Sequence, residues 1–205
     1  MATKEESKPY AAPAAYPKEA DNAEMLSTLN IIAFDIGQGD STLVISPEGE
    51  AVLIDTGPYG SWNSKISPYL TENPQINLEY LIITHSDNDH DGDVEASGLE
   101  PYAVSAGDVI NLGENVYLSI LAADCAFTDG SKAACDEKDD NAHSTVILIE
   151  YGNFKYLTTG DLPGGGGKPP YDTIDLETKI GELAGDVDIL HAGHHGSCNH
   201  LGGQQ

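Results

Sequence analysis

The side chains best suited to chemistry are concentrated in Thr84-His85-Ser86-Asp87-Asn88-Asp89-His90-Asp91-Gly92-Asp93. His85, Asp87, Asp89 and His90 follow directly on an apolar, strand-like run from Leu78 to Thr84. A loop leaving a strand end can fold such closely spaced groups around a small volume. Imidazole and carboxylate are the natural donors to Zn²⁺, Fe²⁺ or Mn²⁺. The spacing can serve two ions, with His85 and Asp87 facing one and Asp89 and His90 the other. Three further features set this apart from an acidic loop with incidental histidines. Gly160-Asp161, at another strand end, offers a carboxylate able to bridge two ions. Gly193-His194-His195-Gly196-Ser197 again follows an apolar strand. Of the 7 histidines, His85, His90, His194 and His195 lie in these loops, and His191 and His200 flank the last one.

The elements that must carry these loops are legible from pattern. Apolar and β-branched runs predict strands at 29–36, 41–46, 51–55, 78–84, 116–122 and 187–190. Thr145–Tyr151 and Phe154–Thr158, joined by Gly152-Asn153, predict a hairpin. Helices are expected at 64–70, just after Asp93, and at 175–183, with a polar loop at 124–141. Strands with helices placed between strand groups indicate an α+β fold. Gly164-Gly165-Gly166-Gly167-Lys168 is not a phosphate loop, because Pro169-Pro170 follows and blocks the helix such a loop requires.

With 205 residues, the chain is long enough for one domain with a real core. We expect residues 1–24 to be a disordered leader or linker and 25–205 to be the domain. The leader lacks the apolar core of a secretory signal, and no segment reaches the apolar length of a membrane span. A soluble protein, cytoplasmic or secreted, is expected. Cys125 and Cys135, ten apart in the polar loop, can pair or remain free thiols. The charge is extreme: 34 acidic residues against 9 lysines and no arginine, a net charge of -25. The usual bidentate phosphate ligand is therefore missing, and nucleic acid is repelled at long range. A solvated, salt-adapted surface accounts for such a balance.

Taken in order, Phe34-Asp35-Ile36-Gly37-Gln38-Gly39-Asp40-Ser41, Leu53-Ile54-Asp55-Thr56-Gly57, His85-Ser86-Asp87-Asn88-Asp89-His90, Thr158-Thr159-Gly160-Asp161 and Gly193-His194-His195-Gly196-Ser197 resemble the metallo-β-lactamase superfamily. Asp87 stands where its His-x-His-x-Asp-His signature has a second histidine, as in the hydrolase domain of ComEC-type competence proteins. The match runs from about residue 30 to 201.

The resemblance implies an αββα sandwich with metals at one edge. It implies two divalent ions, Zn or Mn, which activate a shared water. His85 and Asp87 would hold the first ion, and Asp89, His90 and His194 the second, with Asp161 bridging. Asp55 would orient a ligand imidazole, or else be a strand-end turn carboxylate. Asp89 or Asp161 would accept the water proton. His195 would stabilise a substrate oxyanion or protonate the leaving group. His143, in Asn141-Ala142-His143-Ser144, is either a further ligand or a surface histidine. The chain stops at Gln205, short of the strand and helix with which relatives continue, so either a C-terminally truncated fragment or a sandwich with a reduced second half is expected. The implied activity is that of a phosphodiesterase or nuclease on DNA-like phosphodiesters. The alternatives are a small phosphoester hydrolase of the choline-phosphate type and a non-catalytic metal-binding fragment. Oligomeric state is not indicated.

Overall fold

The computed structural model describes residues 28–166 and 173–196. The expected leader, Gly167-Lys168 of the glycine loop, and Ser197, Cys198 and His200 lie outside the described residues. The first sheet has the order β1 (Asn30–Ala33), β2 (Thr42–Ile45), β3 (Glu50–Ile54), β4 (Asn77–Ile82). β1, β2 and β3 pair antiparallel, and β3 pairs β4 parallel. A parallel pair needs a crossover. Here it is the helical segment formed by a π-turn at Trp62–Ile66 running into α1 (Ser67–Glu72). Two single-turn helices, α2 (Asn88–Asp91) and α3 (Val94–Ser97), follow β4.

The second sheet contains β5 (Val109–Asn111), β6 (Val116–Ala123), β7 (Ala126–Phe127), β8 (Val146–Tyr151), β9 (Phe154–Thr158) and β10 (Ile189–Leu190). Its order is β10-β9-β8-β6-β5, with β7 on the end of β6. Tyr151 faces Phe154 across the two-residue turn expected at Gly152-Asn153. The parallel β9–β10 pair is connected through α4 (Glu177–Ala184). Asp175 starts this helix, accepting hydrogen bonds from the Thr178 amide (3.0 Å) and hydroxyl (2.7 Å).

Alternation along the strands sorts side chains into layers. Val44, Val52, Ile54 and Ile82 of the first sheet meet Leu118, Ile120, Ile147 and Ile149 of the second in one core. Their neighbours Leu43, Ile45, Leu53 and Leu81 face the other way and pack with Ile66, Trp62 and Tyr69 of the crossover. On the outer face of the second sheet, Leu121, Val146, Leu148 and Leu157 pack with Leu176, just before α4, and with Ile180 and Ala184 of α4. The three cores separate four layers, so the chain is an αββα sandwich.

The expected strand at 29–36 stops at Ala33. There the Phe34 amide turns to the Ser41 carbonyl (3.0 Å) and the Ile36 amide to the Phe34 carbonyl (3.0 Å). The expected loop at 124–141 contains β7 and a 3-10 turn at Asp140–His143. Cys125 and Cys135 are paired within it as a disulfide, Cα–Cα 6.4 Å. The last strand is short and exposed at both Ile189 and Leu190. No described helix is long and apolar enough to cross a membrane.

Leu118 is fully buried between the sheets, while Tyr117 beside it is exposed. Leu118→Ala should destabilise the chain by about 2–5 kcal/mol in urea titration, and Tyr117→Ala by clearly less. Equal losses would mean that the inter-sheet face is assigned wrongly.

Candidate metal centre

The site lies at the carboxyl ends of the two parallel strand pairs, β3–β4 and β9–β10. Strand β3 delivers Asp55, β4 delivers His85, β9 delivers Asp161, and β10 delivers His191, His194 and His195. The turn after β1 adds Asp40. The segment after β4 coils into α2, so that Asp87, Asp89 and His90 return over the strand end.

His90 is the centre of the arrangement and is fully buried. Its Nδ1 lies 2.8 Å from Asp55 Oδ2 and its Nε2 3.3 Å from Asp161 Oδ1. Asp55 is fixed in turn by the Thr84 amide on Oδ1 (2.7 Å) and the Thr84 hydroxyl on Oδ2 (2.8 Å). It orients an imidazole, as one of its two expected roles requires. Burial pushes the Asp55 carboxyl up, against the pull of His90 and Thr84. Burial also opposes the His90 imidazolium, but Asp161 and Asp55 on its two sides push it up to about 10. Burial raises Asp161 as well, yet His90, His195 and His194 together hold it below the usual carboxylate range. Without a metal, the two flanking carboxylates thus favour the charged form of the His90 imidazole.

The other predicted residues gather around His90. The rings of His85 and His90 are 4.1 Å apart, and His85 Nε2 is 3.4 Å from Asp87 Oδ2. Asp161 Oδ2 is 3.7 Å from His194 Nε2 and 3.4 Å from His195 Nε2. Asp89 Oδ2 approaches His195 Nε2 at 3.3 Å. Asp87, Asp89, Asp161, His194 and His195 line, with Gln38, an open cleft of about 590 Å³. His194 and His195 have φ of 49° and 55°, consecutive left-handed residues. Such backbone is strained in residues other than glycine and gathers at functional sites.

His143 stands apart. Its Nδ1 is 2.6 Å from Asp124 Oδ1 and its Nε2 3.3 Å from the Asp136 carbonyl, in the disulfide loop. From the Asn141–Ser144 stretch it is Ser144 that reaches the site, its hydroxyl accepting the Asp161 amide (3.2 Å). The sequence assigned no role to Asp40 or His191. Asp40 Oδ1 lies 3.3 Å from His195 Nδ1 and 3.6 Å from His191 Nε2, and His191 Nδ1 is 2.9 Å from the Tyr156 hydroxyl. One ligand atom each from Asp40, His90, Asp161 and His195 falls within 4.8 Å of the others. The available signal for Asp40 was its position directly after Gly37-Gln38-Gly39 in a turn between strands.

These residues fit a metal. His85 Nε2, His90 Nε2 and Asp161 Oδ1 are buried and make no hydrogen bond of good geometry, although the first is within ion-pair distance of Asp87 and the last two of each other. Buried polar atoms without a well-made hydrogen bond are costly, and a cation held among these imidazole and carboxylate atoms would satisfy them once the His90 proton is displaced.

Residues 34–97 match the profile of the metallo-beta-lactamase superfamily. Over that segment the chain is similar to the metallo-hydrolases of that superfamily. It is 32% identical over 185 residues to Recombination protein 2 of Haemophilus influenzae, covering 83% of this chain and 22% of that protein. It is 27% identical over 188 residues to Competence protein ComA of Neisseria gonorrhoeae, covering 82% and 24%. The chain thus spans about a quarter of the length of these curated relatives. Among solved structures it is similar to the metallo-beta-lactamase fold protein YhfI from Bacillus subtilis, with TM-score 0.47 and 12% identity, covering 81% of this chain and 68% of that one.

Two outcomes follow from the Asp55–His90 contact. Asp55 has φ 60°, a conformation asparagine tolerates. Asp55→Asn should therefore keep the backbone while removing the orienting charge. Metal affinity, measured by chelator competition, should fall roughly 10–100-fold. An unchanged affinity would make Asp55 a turn residue only. Metal loading at neutral pH should also displace the proton held by His90, whose value lies near 10. Affinity should then rise with pH between 6 and 9, with proton release visible in a pH-stat. In the metal-free chain, that raised value favours the fold below about 6.5, and the benefit is lost as pH climbs towards 10. A flat affinity profile would contradict a charged His90 in the metal-free chain.

Proposed function

We propose that this chain is a metal-dependent phosphodiesterase acting on DNA-like phosphodiesters. The observation that carries the proposal is the convergence of buried ligand-type atoms on His85, His90 and Asp161, none of which makes a hydrogen bond of good geometry. His85 and Asp87 would hold one divalent ion, and Asp89, His90 and His194 a second, with Asp161 between them; Zn or Mn suits this donor set. Such ions supply Lewis acidity and bring the ionisation of water into the neutral range.

The chain's own residues do the rest. Asp89, partly exposed at the cleft, is placed to accept a proton from attacking water, with Asp161 as the other acceptor. Asp40 faces Nδ1 of His195, whose Nε2 opens on the same cleft. That imidazole is suited to stabilising a substrate oxyanion or protonating the leaving oxygen. Asp55 and Thr84 hold His90 so that Nε2, not Nδ1, faces Asp161.

The preference for a nucleic-acid phosphodiester rests on relatives named for recombination and competence. The acidic surface opposes it, but divalent cations would add positive charge at the one place where a phosphate must sit. That same acidity favours a second reading, a small phosphoester of the choline-phosphate kind, which needs no extended binding surface.

The test is turnover of bis(p-nitrophenyl) phosphate by protein reconstituted with Zn²⁺ or Mn²⁺, with metal content measured in parallel. Asp161→Asn should lose both ions and more activity than the roughly 10–100-fold typical of changes outside a ligand set. Asp87→His, which restores a commoner ligand type, should keep metal. If Asp161→Asn retains wild-type rate and stoichiometry, the two-ion arrangement is wrong.

A further inference from the structure

Beside the metal cleft lies a second opening of about 730 Å³, lined by Gln38, Pro58, Tyr59, Asn88, Asp89 and Gly92. The two share Gln38 and Asp89. A substrate whose reacting group sits against Asp89, Asp161 and His195 therefore has room to continue into the second opening. Tyr59 stands at its edge, 89% exposed.

A lone exposed aromatic on a loose loop would mean little. Tyr59 instead rises from a fixed base. The Thr56 and Gly57 amides both donate to the His90 carbonyl (2.7 and 3.1 Å), and the Ser61 amide donates to the Pro58 carbonyl (3.1 Å). A Cβ on Gly92 would lie 2.9 Å from the Tyr59 nitrogen and 3.0 Å from the Gly57 oxygen, so only glycine lets α2 approach this turn so closely. On the other side, a Cβ on Gly39 would lie 3.0 Å from Pro58 Cδ and press on the Asp89 carbonyl, which the Asp40 amide reaches at 3.1 Å. Residues 37–40, 56–61 and 88–92 thus form one close-packed rim. The backbone under Tyr59 is tied to the backbone of Asp89 and His90, while the ring itself stays in solvent.

The chemistry of the rim narrows what it can bind. Among the described residues no lysine lines either opening, and the chain has 9 lysines against 34 acids. Phosphate-backbone attraction cannot hold a polymer here. Stacking on an aromatic face needs no charge, tolerates any base, and requires the base to be out of a duplex. We propose that Tyr59 is the stacking platform for the base next to the metal-bound phosphate of a single-stranded nucleic acid, with the exposed amides of Gln38 and Asn88 available to its edges. This inference rests on the phosphodiesterase reading for the presence of a phosphate in the neighbouring cleft.

The test is fluorescence anisotropy of a labelled short oligothymidylate with Mn²⁺-reconstituted protein, together with cleavage of the same strand. Tyr59→Ala should weaken binding about five- to a hundred-fold, the usual range for loss of one stacked base. Tyr59→Phe and Tyr59→Trp should bind within about twofold of the wild type. Wild-type protein should bind an abasic strand as weakly as Tyr59→Ala binds the intact one. The ring is exposed, so none of these variants disturbs the core. Equal binding by wild type and Tyr59→Ala, or no binding of the strand by metal-loaded wild type, would overturn the inference. Tyr59-dependent binding without cleavage would leave the inference standing and sink the hydrolytic reading. Cleavage with Tyr59-independent binding would do the reverse.

Discussion

Everything at the functional edge is arranged around one buried imidazole. His90 has no exposed surface and has a carboxylate on each side, Asp55 and Asp161. A histidine in that position cannot be a passive core residue, because its two nitrogens impose different demands. Nδ1 fixes the ring through Asp55, and Asp55 is itself held by two hydrogen bonds from Thr84. Nε2 is then committed to face Asp161 across the sandwich. The strand ends, the single turn of α2 and the left-handed pair His194-His195 all serve to bring ligand-type atoms up to that committed nitrogen. Moving any one of them by an ångström would leave charged groups buried against nothing.

The sandwich itself follows from period-two alternation. Adjacent residues in β2, β3 and β4 point to different cores, which is why short all-apolar runs such as Thr42–Ile45 and Ala51–Ile54 belong in the middle of four layers. A bulge in β6 between Ile120 and Ala122 breaks the alternation once. Ile120 stays with the inter-sheet core, Leu121 and Ala122 both turn outward, and Ala123 turns back. The end of that strand thereby contributes to the packing of α4.

How much of this the sequence disclosed depended on range. The clustering of strand-end groups such as His85, Asp89 and His90 was legible because a local pattern, an apolar run followed by dense imidazole and carboxylate, states their position and type. The β8–β9 hairpin was legible for the same reason. Asp40 was not, because its meaning arises only when the turn after β1 meets the segment after β10, about 150 residues later. The Asn141–Ser144 stretch presented three polar groups, and nothing local distinguished them. Packing turned His143 to Asp124 and gave Ser144 to Asp161. The short strands β5 and β7 were missed because two or three residues carry no period of their own and exist only as partners of β6.

The division of the site between the two sheets has a consequence for how the protein comes to be folded. Asp40, Asp55, His85, Asp87, Asp89 and His90 all belong to the first sheet and its loops, whereas Asp161, His194 and His195 belong to the second. A cation held between Asp161 and His90 would therefore act as a rivet across the layers, adding its binding free energy to the docking of one half on the other. The N-terminal half would supply four of the six candidate ligands, His85, Asp87, Asp89 and His90. Metal supply during synthesis would then bear on the yield of docked sandwich as well as on what the finished site can do.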